Sequence, residues 1–194
     1  MRLIGCMSDD SEQLCRRAKS GDEAAASELI AGHYQRIFAF LRRLGGNDSD
    51  AEDLTQKTFS RAWTALPTFQ GKSSFSTWLH GIAHHVYLDW RRKGSRADFQ
   101  TADWWENCEM DGPGPFETAA ERDLAGRLYA LVEQLNDDGR AVVHLHYYQG
   151  LSLAETAEAL GIAASTVKYR LREALNFLRS QPVETGNGRA KLSK

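Results

Sequence analysis

The residues best suited to chemistry lie between Leu151 and Arg179, where hydroxyl, phenol and cationic side chains gather on one side of a helical pattern. Ser165, Thr166, Lys168, Tyr169, Arg170 and Arg172 share that side. The chemistry they offer is ionic and hydrogen-bonding. Hydroxyls and cations suit phosphate oxygens, and Lys or Arg suits the acceptor edge of guanine, as a helix lying in a major groove requires.

Two elements must position this face. Leu153, Thr156, Ala157 and Leu160 recur at helical spacing, and Val167, Leu171, Ala174 and Leu178 resume the period after a break. Gly161 supplies the break, because glycine tolerates a left-handed cap. Ser152 and Glu155 form a capping-box signature at the start of the first helix. Two helices around a short Gly-containing turn make a helix-turn-helix. Ala163 has no side chain with which to cap the second helix, so Ser165 is expected to cap it and start it later. A solvated basic hairpin in a bundle is the bland alternative. The agreement of turn, caps and cations favours DNA.

The whole chain sets bounds. It has 194 residues, 42% hydrophobic and 26% charged, enough for one large domain or two small ones. No apolar run approaches the roughly 18 residues of a membrane span. Met1–Cys6 is too short for a signal peptide's apolar region, so a cytoplasmic protein is expected. Cys6, Cys15 and Cys108 are scattered, with no C-x-x-C pair, so no disulfide framework, zinc site or other cofactor is indicated. Net charge is −2, yet the charge is unevenly spread. Seven Lys/Arg face four Glu from Leu151 onward, whereas Asp98–Asp123 holds eight acids and Arg122 alone as a cation. Such a chain should hold DNA poorly by itself, which points to a partner that supplies the remaining affinity.

Met7 opens a second plausible start, so residues 1–10 read as an extension. Ser11–Ser20 reads as a short helix closed by Gly21. Asp22 can cap the next, which runs to Leu44 with Ile30, Ile37, Leu41 and Leu44 inward, Tyr34 and Phe38 beside them, and Arg36, Arg42 and Arg43 decorating the rest. After the turn at Gly45–Asn47, Ser49 and Glu52 give a second capping box. Phe59, Ala62, Trp63 and Leu66 form the inner stripe of the helix that follows, and Pro67 closes it. Asp50, Asp53, Gln56 and Lys57 lie on its polar face.

Pro67–Ser74 is a loop with Gly71, Lys72 and hydroxyls. Phe75–Lys93 is a helix with Phe75, Leu79, Ile82, Val86 and Trp90 inward. Its other face carries His80, His84, His85, Tyr87, Asp89, Arg91, Arg92 and Lys93. Rings interleaved with cations suit single-stranded nucleic acid, where bases stack and phosphates pair. His80 and His84 at i and i+4 lack the glutamate and third ligand of a metal motif. Gly112-Pro113-Gly114-Pro115 cannot be helical, so the acidic stretch with Trp104-Trp105 reads as a tether. Thr118–Leu135 is an amphipathic helix through Leu124, Leu128, Leu131 and Leu135. A further helix from about Asp138 to Tyr148 turns Val142, Val143 and Leu145 inward, and the end of the chain reads as a disordered tail.

Asp50–Trp63 followed by Phe75–Lys93 resembles region two of the extracytoplasmic-function sigma factors of bacterial RNA polymerase. Asp50, Ala51, Glu52, Asp53, Leu54, Gln56, Phe59, Ala62 and Trp63 carry the first block. Phe75, Trp78, Leu79, Ile82, Ala83, Asp89 and Arg92 carry the second. Leu151–Arg179 is similar to region four of the same family. Lys57 stands where an acid is usual, His85 where Asn is usual and Asn136 where Pro is usual; Tyr169 and Glu173 replace a small residue and a base.

The resemblance implies an all-α chain with two small helical domains joined by an acidic flexible linker. Their bounds would be 11–94 (region two), 95–117 (linker), 118–180 (region four) and 181–194 (tail). It implies a non-enzymatic initiation factor that binds the core polymerase at its beta-prime clamp and beta flap. Asp50, Asp53, Gln56, Lys57 and Ser60 would face the polymerase. Phe69, Lys72, Ser74, Trp78, His84, His85, Arg91 and Arg92 would take the minus-ten element as an unpaired strand. Ser165, Thr166, Lys168, Tyr169, Arg170 and Arg172 would read the minus-thirty-five duplex. The acidic linker would thread a channel also used by RNA, and an anti-sigma factor would hold the chain inactive. Two other functions compete: a duplex-DNA regulator of the response-regulator output type, which works without polymerase, and a metal or redox sensor using Cys15, Cys108 and the histidines.

Overall fold

The computed structural model describes residues 8–45, 47–94 and 119–181. The linker 95–117, Trp104-Trp105, Cys108, the start of the extension and residues 182–194 lie outside the described residues, and so does the side chain of Leu124. Among the described residues the structure is helical throughout: α1 (Ser8–Lys19), α2 (Glu23–Gly45), α3 (Asp48–Ala65), a 3-10 turn (Leu66–Thr68), α4 (Phe75–Arg92), α5 (Ala119–Glu133), α6 (Asp137–Val143), a π-type turn (His144–Tyr148), α7 (Leu153–Leu160) and α8 (Ala164–Ser180). The first lobe is α1–α4 and the second α5–α8.

Local sequence explains most helix ends. Asp22 Oδ1 accepts the Ala25 amide at 3.0 Å, and Ser74 Oγ accepts the Thr77 amide at 3.1 Å. Both halves of the Ser152–Glu155 capping box form. Gly161 closes α7 at φ +64°, where a side chain would strain the backbone. Other ends differ from expectation. Asn47, not Ser49, caps α3 by accepting the Asp50 amide at 2.8 Å, because an Asn side chain reaches the free amide three residues on and starts the helix earlier. α8 begins at Ala164 behind Ala163, without a side-chain cap; tertiary packing of Val167 and Leu171 sets its start instead of Ser165. α6 begins at Asp137 behind an Asn136 cap and passes into the wider turn at His144.

The core is one continuous cluster drawn from both lobes. Ile37, Phe40 and Leu41 of α2 are fully buried, as are Leu54, Leu79, Val142, Leu145 and Val167. α4 packs against α2 and α3 within its lobe and against α7 of the other; α2 packs against α6. Phe40 is the bridge: its ring lies 5.5 Å from that of His80 on α4 and 5.6 Å from that of His144 in the π-type turn.

This second set of neighbours overturns several face assignments. His80, His84 and Tyr87 are buried, not displayed, because α4 is covered on more sides than a single apolar stripe anticipates. Arg42 and Arg43 are buried too, paired with Asp48 and Glu133. Trp63 and Leu128, assigned inward, are 50% and 46% exposed.

Burial keeps the core histidines neutral. It lowers His80 and His84 to about 4, against an ordinary value of 6.5. It also lowers His33, and His144 well below the usual range. His80 Nδ1–H donates to Ser76 O at 2.7 Å and His33 Nδ1–H to Leu29 O at 2.9 Å, which sets both tautomers. The unfolded chain protonates these rings below about pH 6.5 and the folded chain does not, so stability is complete above that pH and drains away as pH falls toward 4. Each such ring costs about 1.4 kcal/mol per pH unit across that window. Thermal melting is expected to fall steadily between pH 7 and pH 4.5; a flat midpoint would contradict neutral buried rings. Phe40→Ala is expected to cost about 3–5 kcal/mol in urea unfolding, and a loss below about 1 kcal/mol would remove Phe40 from its bridging role.

Candidate nucleic-acid interface

The helix-turn-helix presents α8 with its first turns outward. Val167, Leu171 and Ala174 anchor it against the lobe, because every third or fourth position is apolar. Ser165, Lys168, Tyr169 and Arg172 are exposed, Tyr169 at 58%. Thr166 is half-buried, as is Arg170, whose Nη2 lies 2.7 Å from Asp138 Oδ2. The six residues picked out by spacing therefore share one face, with Arg170 held at its edge by an acid.

The α4 surface is more divided. Phe69, Phe75 and Trp78 form an aromatic cluster, with the Phe69 and Trp78 rings 4.8 Å apart and the Phe69 and Phe75 rings 6.1 Å apart. Lys19 Nζ donates to Phe69 O at 2.5 Å, tying the loop before α4 to α1. Ser74 is occupied as the helix cap and Lys72 is exposed. His85 is exposed, and its Nδ1–H donates to Gly81 O at 2.8 Å, which leaves Nε2 as an outward acceptor. His84 departs from expectation: it is buried, and after burial itself His85, then Asp138 and Arg170, act on it.

Arg91 and Arg92 are exposed but engaged. Arg92 pairs with Asp89, which also takes Arg61 Nη1 at 3.0 Å. Arg91 Nη1 donates to Asp137 Oδ2 at 2.6 Å, and Tyr87 Oη donates to the same oxygen at 2.9 Å. Arg140 Nη2 takes Asp137 Oδ1 at 2.5 Å. Burial pushes the Asp137 carboxyl up, but hydrogen bonds from Tyr87, Arg91 and Arg140 outweigh it and hold it below the ordinary range. Burial first, then Asp137, pushes the Tyr87 phenol up to about 12.

A cleft of about 370 Å3 lies beside Trp78, Gly81, Ile82 and His85, walled by Arg61 of α3 and by Glu158 and Ala159 of α7. Its lining combines an indole and aliphatic side chains with a cation, an acid and an imidazole. On α3, Asp53, Gln56, Lys57 and Ser60 are exposed in a row and Asp50 is half-buried, with Trp63 exposed beside them.

Arg61, Asp137, Asp138 and Glu158 were not singled out in the sequence. Asp137 and Asp138 lie in the first turn of α6; their partners on α4 and α8 are remote in sequence and give no local signal. Among the described residues no three His, Cys, Asp or Glu converge as a metal site, and none of the described helices is long and apolar enough to cross a membrane.

Residues 29–97 match the Sigma-70 region 2 family and residues 125–178 match Sigma-70, region 4. The chain is 35% identical over 155 residues to the ECF RNA polymerase sigma factor SigX of Bacillus subtilis, covering 78% of this chain and 80% of SigX. It is 32% identical over 173 residues to the RNA polymerase sigma factor NccH of Alcaligenes xylosoxydans xylosoxydans, covering 87% of this chain and 93% of NccH. It is 32% identical to the larger ECF RNA polymerase sigma factor SigE of Mycolicibacterium smegmatis, with 82% of this chain aligned to 63% of SigE. Among solved structures, CnrH in complex with the cytosolic domain of CnrY superposes with a TM-score of 0.64 at 27% identity, covering 88% of this chain and 95% of CnrH. The region 2 match across 29–97 speaks against a helix-turn-helix regulator that works without polymerase. With both regions present in order on one helical chain, the protein belongs to the ECF sigma factors, the exchangeable initiation subunits of bacterial RNA polymerase.

Proposed function

We propose that the chain initiates transcription by coupling two modest nucleic-acid grips on one polymerase. The observation that carries this reading is the pairing of an aromatic, cationic α4 surface with a basic α8 on a chain of net charge −2. Neither surface has enough free cations to hold DNA tightly alone.

α8 enters the major groove of the minus-thirty-five element. Lys168 and Arg172 contact phosphates or base edges, with Ser165, Thr166 and Tyr169 beside them and Arg170 joining once released from Asp138. On the first lobe, a base leaving the minus-ten duplex finds the Trp78 ring and the cleft next to it. Stacking on an aromatic ring contributes about 1–3 kcal/mol, comparable to the few kcal/mol that extruding a base costs. The unpaired strand is bound and the paired one is not, and this difference drives melting. His85 Nε2 offers an acceptor where Asn would offer both a donor and an acceptor, so the minus-ten preference is expected to depend on it. Phe69 and Ser74 shape the pocket, through the aromatic cluster and the α4 cap; Lys72, Arg91 and Arg92 follow the phosphates.

The polar row on α3, from Asp50 through Asp53, Gln56 and Lys57 to Ser60, faces the beta-prime clamp, and the second lobe meets the beta flap. No bond is made or broken by this chain; the polymerase performs the chemistry, and the protein works where the polymerase is, in the cytoplasm. CnrH is solved with CnrY, and a relative from Bartonella quintana is solved with the anti-sigma factor NepR. An anti-sigma factor is accordingly the expected inhibitor here.

Run-off transcription with core polymerase on a promoter library should yield products of defined start only when this chain is added; identical products with and without it would end the proposal. Lys168→Ala combined with Arg172→Ala should cut promoter use at least tenfold and lower the slope of log affinity against log salt by about one to two. An unchanged slope would take α8 off the DNA.

A further inference from the structure

The loop that leads into α4 is held at its entrance by a residue of α1. The aromatic cluster beside the minus-ten cleft begins with Phe69, whose ring lies 4.8 Å from that of Trp78. The Phe69 amide closes the 3-10 turn on Leu66 O at 3.1 Å, and Ser74 caps α4. Between these two points, among the described residues, no backbone–backbone hydrogen bond holds residues 70–73. Gly71 turns the chain there at φ +69° with open space around it. The Phe69 carbonyl has left the turn, and its partner is the Lys19 ammonium, 50 positions away in the chain, which donates to it at 2.5 Å.

The backbone of Lys19 is well anchored. Cys15 and Ala18 are buried, and Leu14 packs against the same core. α1 packs against α2, the 3-10 turn and α4. Behind Lys19 the chain is closed by the Gly21 amide on Ala18 O at 3.1 Å, by Gly21 at φ +93° and by the Arg17–Asp22 pair. The exposed ammonium adds little to global stability, because water competes for the same carbonyl and a long stem loses freedom. Its effect is local: it sets where the Phe69 peptide, and with it the ring next to Trp78, is found.

We infer that Lys19 is a positioning residue for the minus-ten grip: its ammonium pins the Phe69 carbonyl, so that Phe69 and Trp78 meet an unpaired base already in place. α1 thereby belongs to the minus-ten apparatus although none of its residues lines the cleft beside Trp78. A loop ordered in advance has less freedom to lose when the strand binds. The inference rests on the initiation-factor reading. A direct phosphate contact by the same ammonium is a different role, and salt dependence separates the two.

Two full-length variants test it. Lys19→Met keeps the aliphatic stem and removes the donors, whereas Lys19→Arg keeps a donor. Tryptic cleavage after Lys72, which is exposed in the loop, is followed on the free chain. It should speed up about three- to tenfold in Lys19→Met, the range of one charge-assisted hydrogen bond, and stay near the unaltered rate in Lys19→Arg. Run-off transcription with core polymerase then compares single-base changes in the minus-ten element with single-base changes in the minus-thirty-five element. Lys19→Met should lower discrimination at one minus-ten base about threefold or more, with minus-thirty-five discrimination and the slope of log affinity against log salt unchanged; Lys19→Arg should restore the preference. Unchanged cleavage after Lys72, undiminished minus-ten discrimination, or equal losses at both elements overturns the inference. A slope lower by about one overturns it in favour of a phosphate contact. If the unaltered chain yields no defined product with core polymerase, the initiation-factor reading falls instead, and the cleavage rate still decides whether Lys19 holds the loop.

Discussion

The packing of α4 governs the rest of the molecule. This helix must bury Leu79, Ala83 and Val86, hold an aromatic cluster at its first turn and still leave a cationic end. It meets α2 and α3 on one side and α7 on another. Its sides are thus divided between core, interface and solvent. Gly81 is small where α7 crosses, and His80 fills the space beneath Phe40. The histidines on this helix are therefore mostly packing residues whose neutrality is a condition of the fold. Only His85 keeps a nitrogen available outside.

Charge is arranged around that packing in a consistent way. Four described cations near the proposed DNA surfaces have a carboxylate beside them: Arg61 and Arg92 share Asp89, Arg91 has Asp137, and Arg170 has Asp138. Exposed pairs of this kind are worth little to stability. Their effect lies in competition, since a phosphate must displace a carboxylate to be bound. Arg140 and Arg43 differ in being buried. Arg140 leans on Asp137 and Arg43 on Glu133, with the Tyr129 ring 4.7 Å from the Arg43 guanidinium carbon. Losing either acid would take a carboxylate away from a buried charge, which is more costly than losing a surface pair.

Much of the second lobe was legible in the sequence because its signals are local. A capping box needs only residues three apart, and Gly161 needs only its own φ; both formed as read. The apolar period of α8 likewise named its buried face. The reading failed where a helix has two sets of neighbours. Trp63 and Leu128 continue an apolar stripe past the point where anything covers it, while Arg42, Arg43, His80, His84 and Tyr87 are polar-tipped residues that a second packing surface draws inward. Asn47 displaced Ser49 as a cap because several residues in one turn could do that work and chain direction after Gly45 chose among them.

The sequence by itself determined the helical class and the helix-turn-helix with its outward cations, since each depends on spacing within a few turns, and its resemblance to a known family gave the order of the two regions. Only the tertiary structure decided that the two lobes share one core, that Asp137 and Asp138 lie against Arg91 and Arg170, and that α7 covers α4. Those contacts join residues dozens of positions apart, and their energies come from burial and charge pairing between surfaces, for which no local pattern in the chain is a code.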